Sequence, residues 1–173
     1  LVAGAGAVGR RKTAALIDAS PKLIRLVDPA PPHEEEKRLA AKARAANVTL
    51  LREERPFSPT DLDGCALAFA ATGDKAVNRH IAALCRERDV LCNVADTPDL
   101  SDFLAPAAWR QANLQVAVST CGASPALAGH IRDELAVFLD GRYSVLTQLL
   151  ECLRPRLASL GFNAMQNKEL FLK

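Results

Sequence analysis

Short apolar runs and helical stretches alternate along the first 120 residues of the chain. The runs that predict strands are 1–5, 23–28, 48–53, 66–72, 90–96 and 114–120. Stretches with helical spacing or strong helix formers lie between them, at 8–19, 34–46 and 75–88. The run at 66–72 is unbroken, which is typical of a parallel strand covered on both faces. This alternation predicts βαβ units and an open, doubly wound parallel sheet, with 114–120 as its sixth strand.

The pattern changes after Gly141, where leucines recur at three- and four-residue steps. They form one apolar helical stripe that Pro155 interrupts, and its members are Leu146, Leu149, Leu150, Leu153, Leu157 and Leu160. A short helical tail of this kind either folds back on the sheet or meets another subunit. We favour the second alternative and expect 141–173 to be a dimerisation segment.

The first strand leads into the pattern G-x-G-x-x-G, formed by Gly4, Gly6 and Gly9. This motif gains weight because a helix begins near Val8 and the next strand ends in Asp28, nineteen positions after Gly9. In a Rossmann-like domain the glycines would permit the turn, the approach of a pyrophosphate and close helix packing, and Asp28 would bind the ribose. The carboxylate would repel a 2′-phosphate, so NAD is favoured over NADP. The alternative is a glycine-rich turn that binds nothing.

Composition sets limits on the class of protein. A chain of 173 residues that is 49% hydrophobic can bury one good core. Its net charge of +2 is spread over interspersed residues, which argues against a nucleic-acid surface, and no apolar run approaches the roughly 20 residues of a membrane span. The five cysteines form no C-x-x-C pair, so no zinc site is expected. We expect a cytoplasmic protein with neither nucleic acid nor membrane as a partner.

Two further stretches carry candidate chemistry. The strand at 90–96 brings Asn93 and Asp96 to the carboxyl edge of the sheet, where open α/β folds bind ligands, so Asp96 is a candidate acid or base. In the second stretch, Ser124 is placed as an N-cap and Pro125 at the first helical position. A loop of small residues opening into such a helix predicts a second anion site, suited to a polycarboxylate or phosphate. An ordinary capped helix is an equal alternative.

Four sequence blocks occur together and in order. They are G-x-G-x-x-G followed by RK, then AAT-x-D-x-x-VN, then CNVAD-x-P-x-L-x-DF-x-x-PA, and then VAVST-x-G-x-SP-x-LA-x-x-IR. With these blocks the chain, from Leu1 to about Leu139, resembles the precorrin-2 dehydrogenase family. This is the N-terminal domain of sirohaem synthases, which also occurs as a free-standing dehydrogenase that sometimes doubles as a ferrochelatase.

The resemblance implies NAD-dependent oxidation of precorrin-2, a polycarboxylated tetrapyrrole, to sirohydrochlorin in sirohaem biosynthesis. It further implies a homodimer and, in some members, insertion of a ferrous or cobaltous ion, with the macrocycle rather than a protein metal site supplying the ligands. Asp96 matches the family's essential aspartate, a base. The other site residues are, for the cofactor, Gly4, Gly6, Ala7, Val8, Gly9, Asp28 and Thr72, and, for the substrate, Asn93, Thr120, Gly122 and Ser124.

We therefore expect an NAD-binding Rossmann domain at 1–113, a sheet-completing strand and substrate-side helix at 114–140, and the helical tail at 141–173. No methyltransferase domain is present, so no methylation is expected of these residues. Gly9 stands where family members often have Ala, and Cys121 where Gly is usual. Two rival functions stay open: an NAD-binding sensor or regulatory module, and a dehydrogenase of another polycarboxylate.

Overall fold

A computed structural model describes residues 1–95 and 97–161. Asp96 and the end of the predicted tail, 162–173, lie outside the described residues. The chain forms two compact units, Leu1–Leu104 and Ala105–Lys173. The units divide after Leu104, whereas the sequence places the end of the first domain at 113.

The first unit is built on a parallel sheet of five strands in the order β3-β2-β1-β4-β5. The strands are β1 (Val2–Ala3), β2 (Leu23–Val27), β3 (Thr49–Glu53), β4 (Leu67–Ala70) and β5 (Leu91–Val94). The helices are α1 (Ala7–Asp18), α2 (Glu34–Ala45) and α3 (Lys75–Glu87), with short 3₁₀ turns at Pro59–Leu62 and Pro98–Leu100. The predicted Rossmann-like α/β fold is confirmed.

Both faces of this sheet are covered, which explains the unbroken apolar run of β4. Phe69 packs with Val2, Ile17 and Ile24 in one buried cluster. Its neighbours Ala68 and Ala70 belong to the opposite cluster, together with Ile81 and Cys85 of α3. Because successive side chains of a strand point to opposite faces, a strand between two helical layers needs apolar residues at every position.

Local capping fixes where two of the helices begin. His33 is the N-cap of α2: its Nδ1 accepts a hydrogen bond from Glu35 N at 3.2 Å, and Glu36 Oε1 accepts one from His33 N at 2.9 Å. Asp74 caps α3 by accepting a hydrogen bond from Ala76 N at 2.7 Å. These side chains satisfy donors that have no partner within the helix.

The second unit contains an antiparallel hairpin of β6 (Ala107–Gln111) and β7 (Leu114–Val118), followed by α4 (Pro125–Phe138) and α5 (Gly141–Ser159). The prediction that 114–120 completes the parallel sheet is therefore wrong. Gln111 pairs with Leu114 across a two-residue turn, in which Ala112 has a φ of +48°. A turn this short can only join antiparallel strands, because a parallel pair needs a crossover of a dozen or more residues.

The last described helix differs from the prediction in one respect. α5 runs through Pro155, which was expected to interrupt it. No helix in the described part of the chain is both long and apolar enough to cross a membrane.

Candidate functional site

The turn between β1 and α1 contains two glycines that the packing of the protein itself requires. Gly4 has a φ of +101°, and a Cβ atom there would lie 2.3 Å from the carbonyl oxygen of Ala71. A Cβ atom at Gly9 would lie 1.8 Å from the carbonyl oxygen of Gly4. Neither position can hold a side chain without moving the backbone. Close packing of α1 on the strand therefore accounts for Gly9, where the family often has Ala.

Gly6 differs from the other two glycines because no packing contact in the described part of the chain requires it. It is the N-cap of α1 with an extended backbone, and a Cβ atom built there meets no atom of the described residues within 4 Å. The space that a side chain of Gly6 would occupy is therefore open. It adjoins the N-terminus of α1, where the first N–H groups have no partner within the helix. This is the arrangement in which main-chain N–H groups of a helix N-terminus, here at Ala7 and Val8, bind a pyrophosphate. The cradle fits a dinucleotide.

Asp28 lies directly after β2 and beside the glycine turn. Its Oδ2 accepts a hydrogen bond from Ala5 N at 2.6 Å, and its Oδ1 accepts one from Ala30 N at 2.7 Å. Two main-chain donors thus fix the carboxylate, while its remaining lone pairs can still accept hydroxyl groups. The structure brings this predicted ribose ligand and the predicted pyrophosphate cradle together.

Two arginines at the same edge were missed by the sequence reasoning. Arg52 of β3 donates to the carbonyl oxygens of Asp28, at 2.9 Å, and Ala30, at 2.7 Å. Its Nε lies 2.6 Å from Glu36 Oε2. This guanidinium therefore holds the loop that carries the Asp28 carboxylate.

The second arginine, Arg10, belongs to the first turns of α1. Its Nη1 donates to the carbonyl oxygen of Ala5 at 2.8 Å, and its Nε pairs with Glu35 Oε2 at 2.6 Å. The hydrogen bond from Arg10 lowers the pKa of Glu35. The glutamates of the first turn of α2 also suit the helix dipole.

Thr72 follows β4 and lies against the glycine turn. Its main-chain N–H and its hydroxyl both donate to Asn78 Oδ1, at 3.0 and 2.7 Å. Asn78 Nδ2 in turn donates to the carbonyl oxygen of Thr72 at 3.1 Å. Asn78 is only 5% exposed. This buried residue of α3 therefore holds the loop that follows β4 in place. The block AAT-x-D-x-x-VN thus contains the loop and both residues, Asp74 and Asn78, that shape it.

The segment after β5 is tied back alongside that strand. Asn93 is buried and its Nδ2 donates to the carbonyl oxygen of Phe103 at 2.8 Å. Asp102 Oδ2 accepts a hydrogen bond from Cys92 N, and Ser101 Oγ accepts one from Val94 N, at 2.8 and 2.9 Å. Asp102 thus covers the edge of β5. Asn93, predicted as a substrate ligand, shapes this segment.

The loop before α4 holds the other predicted substrate residues. Thr120 Oγ1 accepts a hydrogen bond from Ser124 N and donates to the carbonyl oxygen of Ser124, both at 3.0 Å. Ser124 Oγ accepts from Leu127 N at 3.2 Å, which confirms the predicted N-cap. Cys121 and Gly122 have φ values of +52° and +87°. The left-handed backbone at Cys121 is a conformation that glycine adopts at less cost than a residue with a side chain.

Within the described residues, no group of three or more His, Cys, Asp or Glu side chains is arranged to hold a metal ion.

The parallel sheet, the open cradle at Gly6 and the carboxylate at Asp28 define an α/β dinucleotide-binding protein. The family described as "Putative NAD(P)-binding" matches residues 1–107, and the chain belongs to this family. A second family, described as sirohaem biosynthesis protein central, matches residues 111–137. The predicted resemblance and the NAD cofactor are confirmed.

Curated relatives agree with both matches. The chain is 40% identical over 152 residues to the siroheme synthase of Thioalkalivibrio sulfidiphilus, which covers 87% of this chain and 29% of the relative. It is 36% identical over 157 residues to that of Methylococcus capsulatus, covering 90% of the chain and 31% of the relative. The chain thus spans about a third of the length of these relatives.

A solved structure, the precorrin-2 dehydrogenase SirC, matches with a TM-score of 0.75 and 26% sequence identity. The match covers 99% of this chain and 81% of that one.

Proposed function

We propose that this chain oxidises precorrin-2 to sirohydrochlorin with NAD⁺ in sirohaem biosynthesis. The observation that carries the proposal is the open cradle at Gly6, beside the carboxylate of Asp28, in a chain whose full length resembles SirC. A cytoplasmic location belongs to the proposal, because such an oxidation draws on the cytoplasmic dinucleotide pool.

The first unit would hold the cofactor. The first N–H groups of α1, with Gly6 leaving room for close approach, bind the diphosphate. Asp28 accepts hydrogen bonds from the adenosine ribose, and the loop at Thr72, anchored by Asn78, borders the same cleft. When bound, NAD⁺ accepts the hydride that leaves a saturated carbon of the substrate.

Asp96 is the proposed base. In the sequence it follows the last residue of β5 by two positions, and the carboxyl ends of parallel strands are where open α/β sheets place reacting groups. Precorrin-2 loses a hydride and a proton, so that NADH and a proton are formed beside sirohydrochlorin. The carboxylate of Asp96, directly or through a water molecule, takes that proton.

The carboxylates of the tetrapyrrole need donors, and the start of α4 would provide them. Its first N–H groups follow a tight loop in which Thr120, Gly122 and Ser124 leave little side-chain bulk. We assign these residues to substrate binding. Asn93 contributes to substrate binding indirectly, because its hydrogen bond to Phe103 shapes the segment after β5.

A homodimer formed through the second unit is part of the proposal. Large apolar side chains of α4 and α5 are exposed to solvent, among them Val137, Phe138, Val145, Leu146 and Leu149. Monomeric proteins rarely leave such residues together on the surface. A second copy of this chain would cover them, in agreement with the leucine stripe of the sequence.

The test is an anaerobic assay of the purified chain with freshly generated precorrin-2 and NAD⁺, followed through NADH and the absorption spectrum of sirohydrochlorin. We expect turnover in the wild type, and a loss of at least about 100-fold in Asp96→Asn with unchanged NAD⁺ affinity, as for removal of a general base. Asp99→Asn is the matched control, an exposed acid close in sequence, and should keep full activity.

Two further results of this assay would distinguish the proposed dehydrogenase from the alternative functions and test for metal insertion. NAD⁺ binding without precorrin-2 oxidation would favour a sensor or another polycarboxylate substrate. Addition of ferrous or cobaltous ions in a second stage tests chelation, which stays a prediction. Metal insertion into sirohydrochlorin that is supplied directly, above the spontaneous rate and lost in Asp96→Asn, would support the same carboxylate as acceptor of the pyrrole protons.

A further inference from the structure

Two arginine–glutamate pairs flank the predicted ribose site. Arg10 reaches it through Ala5, whose carbonyl accepts from Arg10 and whose N–H donates to Asp28. Arg52 reaches it through the carbonyl oxygens of Asp28 and Ala30. Each guanidinium also pairs at 2.6 Å with a glutamate of the first turn of α2, Arg10 with Glu35 and Arg52 with Glu36.

These pairs matter because an arginine near this position is what accommodates the 2′-phosphate of NADP. A guanidinium recognises phosphate through several N–H donors in a fixed plane. Here both candidate guanidiniums already have a carboxylate partner. Among these five groups, the carboxylates of Asp28, Glu35 and Glu36 outnumber the two guanidinium groups by one.

We propose that Glu35 and Glu36 make the site selective for NAD over NADP by occupying Arg10 and Arg52. This inference rests on the proposed use of a nicotinamide dinucleotide. Both glutamates act through the arginines, so they are positioning residues. The 2′-phosphate is repelled by the charge of Asp28, and neither Arg10 nor Arg52 is released from its glutamate to compensate that charge.

The two glutamates differ in whether they can be replaced without disturbing the fold. The side chain of Glu36 is 7% exposed and also completes the capping box of α2, so its removal disturbs folding. The side chain of Glu35 is 57% exposed, and its replacement changes the charge next to Arg10 while leaving the fold intact. Glu35 is therefore the informative position.

The experiment measures the dissociation constants of NAD⁺ and NADP⁺ for the intact chain by equilibrium titration. In Glu35→Gln we expect the affinity ratio to shift about three- to fivefold toward NADP⁺, the size expected for a guanidinium–phosphate contact near the surface. Glu34→Gln is the matched control, because Glu34 pairs with the exposed Lys37 at 2.7 Å, and its ratio should stay unchanged. Glu35→Asp should retain most of the wild-type ratio.

The double variant Glu35→Gln with Arg10→Gln tests whether Glu35 acts through Arg10, and should return the ratio to the wild-type value. An unchanged ratio in Glu35→Gln, or an equal shift in Glu34→Gln, would overturn the inference while leaving NAD binding and precorrin-2 oxidation untouched. Failure of the wild type to bind either dinucleotide would instead overturn the cofactor assignment itself. A protein that binds NAD⁺ with the predicted ratios but does not oxidise precorrin-2 would leave this inference supported and the proposed activity rejected.

Discussion

The two units of the chain bury their apolar residues to very different degrees. Among the described residues, the fully buried hydrophobic side chains lie in the first unit, with Ala128 as the exception. In the second unit, Val145 is 64% and Leu149 53% exposed. The first unit thus has the core of an independent domain, whereas the second presents surface that calls for a partner. Changes at the cofactor site should therefore act on ligand binding within the first unit, whereas changes on the exposed face of the second unit should act on association.

The largest expected effect concerns the cradle of the first unit. Gly6→Asp should weaken NAD⁺ binding by about 100-fold or more, because charge-assisted hydrogen bonds of roughly 1.5–3 kcal/mol each are replaced by repulsion. The fold should be kept, since a Cβ atom at this position meets no protein atom within 4 Å. Titration of NAD⁺ and thermal unfolding of the same sample measure both effects.

Gly9→Ala provides the contrast. A Cβ atom there meets the carbonyl oxygen of Gly4 at 1.8 Å. This variant should therefore have a lower melting temperature than the wild type, because the added methyl group disturbs packing within the protein and does not itself block the cofactor. Equal loss of stability in both variants would contradict the distinction drawn between Gly6 and Gly9.

The next prediction concerns the exposed face of the second unit. Val145→Glu together with Leu149→Glu should convert a dimer into monomers, because two charges would be placed on apolar surface that association buries. Arg154→Glu, at an exposed position on the opposite side of the same helix, is the control and should leave the dimer intact. Sedimentation velocity distinguishes the species, and a dimer that survives the double change would place association elsewhere.

A smaller effect, on stability, is expected at Asn78, which holds the loop at Thr72 in place. Asn78→Ala should reduce the free energy of unfolding by about 2–3 kcal/mol, because it removes three hydrogen bonds to Thr72 and leaves partly buried main-chain groups unpaired. Chemical denaturation measures the loss. His80→Ala, an exposed position on the same helix, should change stability by less than about 0.5 kcal/mol.

The smallest effect is a gain. Cys121→Gly should stabilise the chain by about 1 kcal/mol, because the backbone at this position has a φ of +52°, a conformation that costs a residue with a side chain roughly 1–2 kcal/mol. The midpoint of urea unfolding measures it. Cys152→Gly, placed inside a helix, should lose about 1 kcal/mol, and a gain there would show that loss of a thiol, not backbone relief, is responsible.

The sequence predicts the first unit well because local patterns determine it. Covered parallel strands give unbroken apolar runs. In the second unit, the start of α4 was predicted for the same kind of reason, because the cap at Ser124 follows from residue type and spacing. The hairpin escaped prediction because its turn, Ala112 and Asn113, lacks the glycine that marks most two-residue turns.

The arginine–glutamate pairs around the ribose site were not predicted from the sequence for a different reason. Arg10 and Glu35 are 25 positions apart and Arg52 and Glu36 are 16 apart. Such pairs depend on how strands and helices pack, which no periodicity records. The hydrogen bonds that hold Asp28 and Thr72 likewise become visible only in three dimensions.

The most direct test of the central claim is the stoichiometry of the reaction, with NADH and sirohydrochlorin followed together during a single anaerobic incubation with precorrin-2. We expect the two products to appear in equal amounts and at the same rate, and both to vanish in Gly6→Asp. Sirohydrochlorin formed without NADH, or NADH formed without sirohydrochlorin, would contradict the assignment of this chain as an NAD-dependent precorrin-2 dehydrogenase.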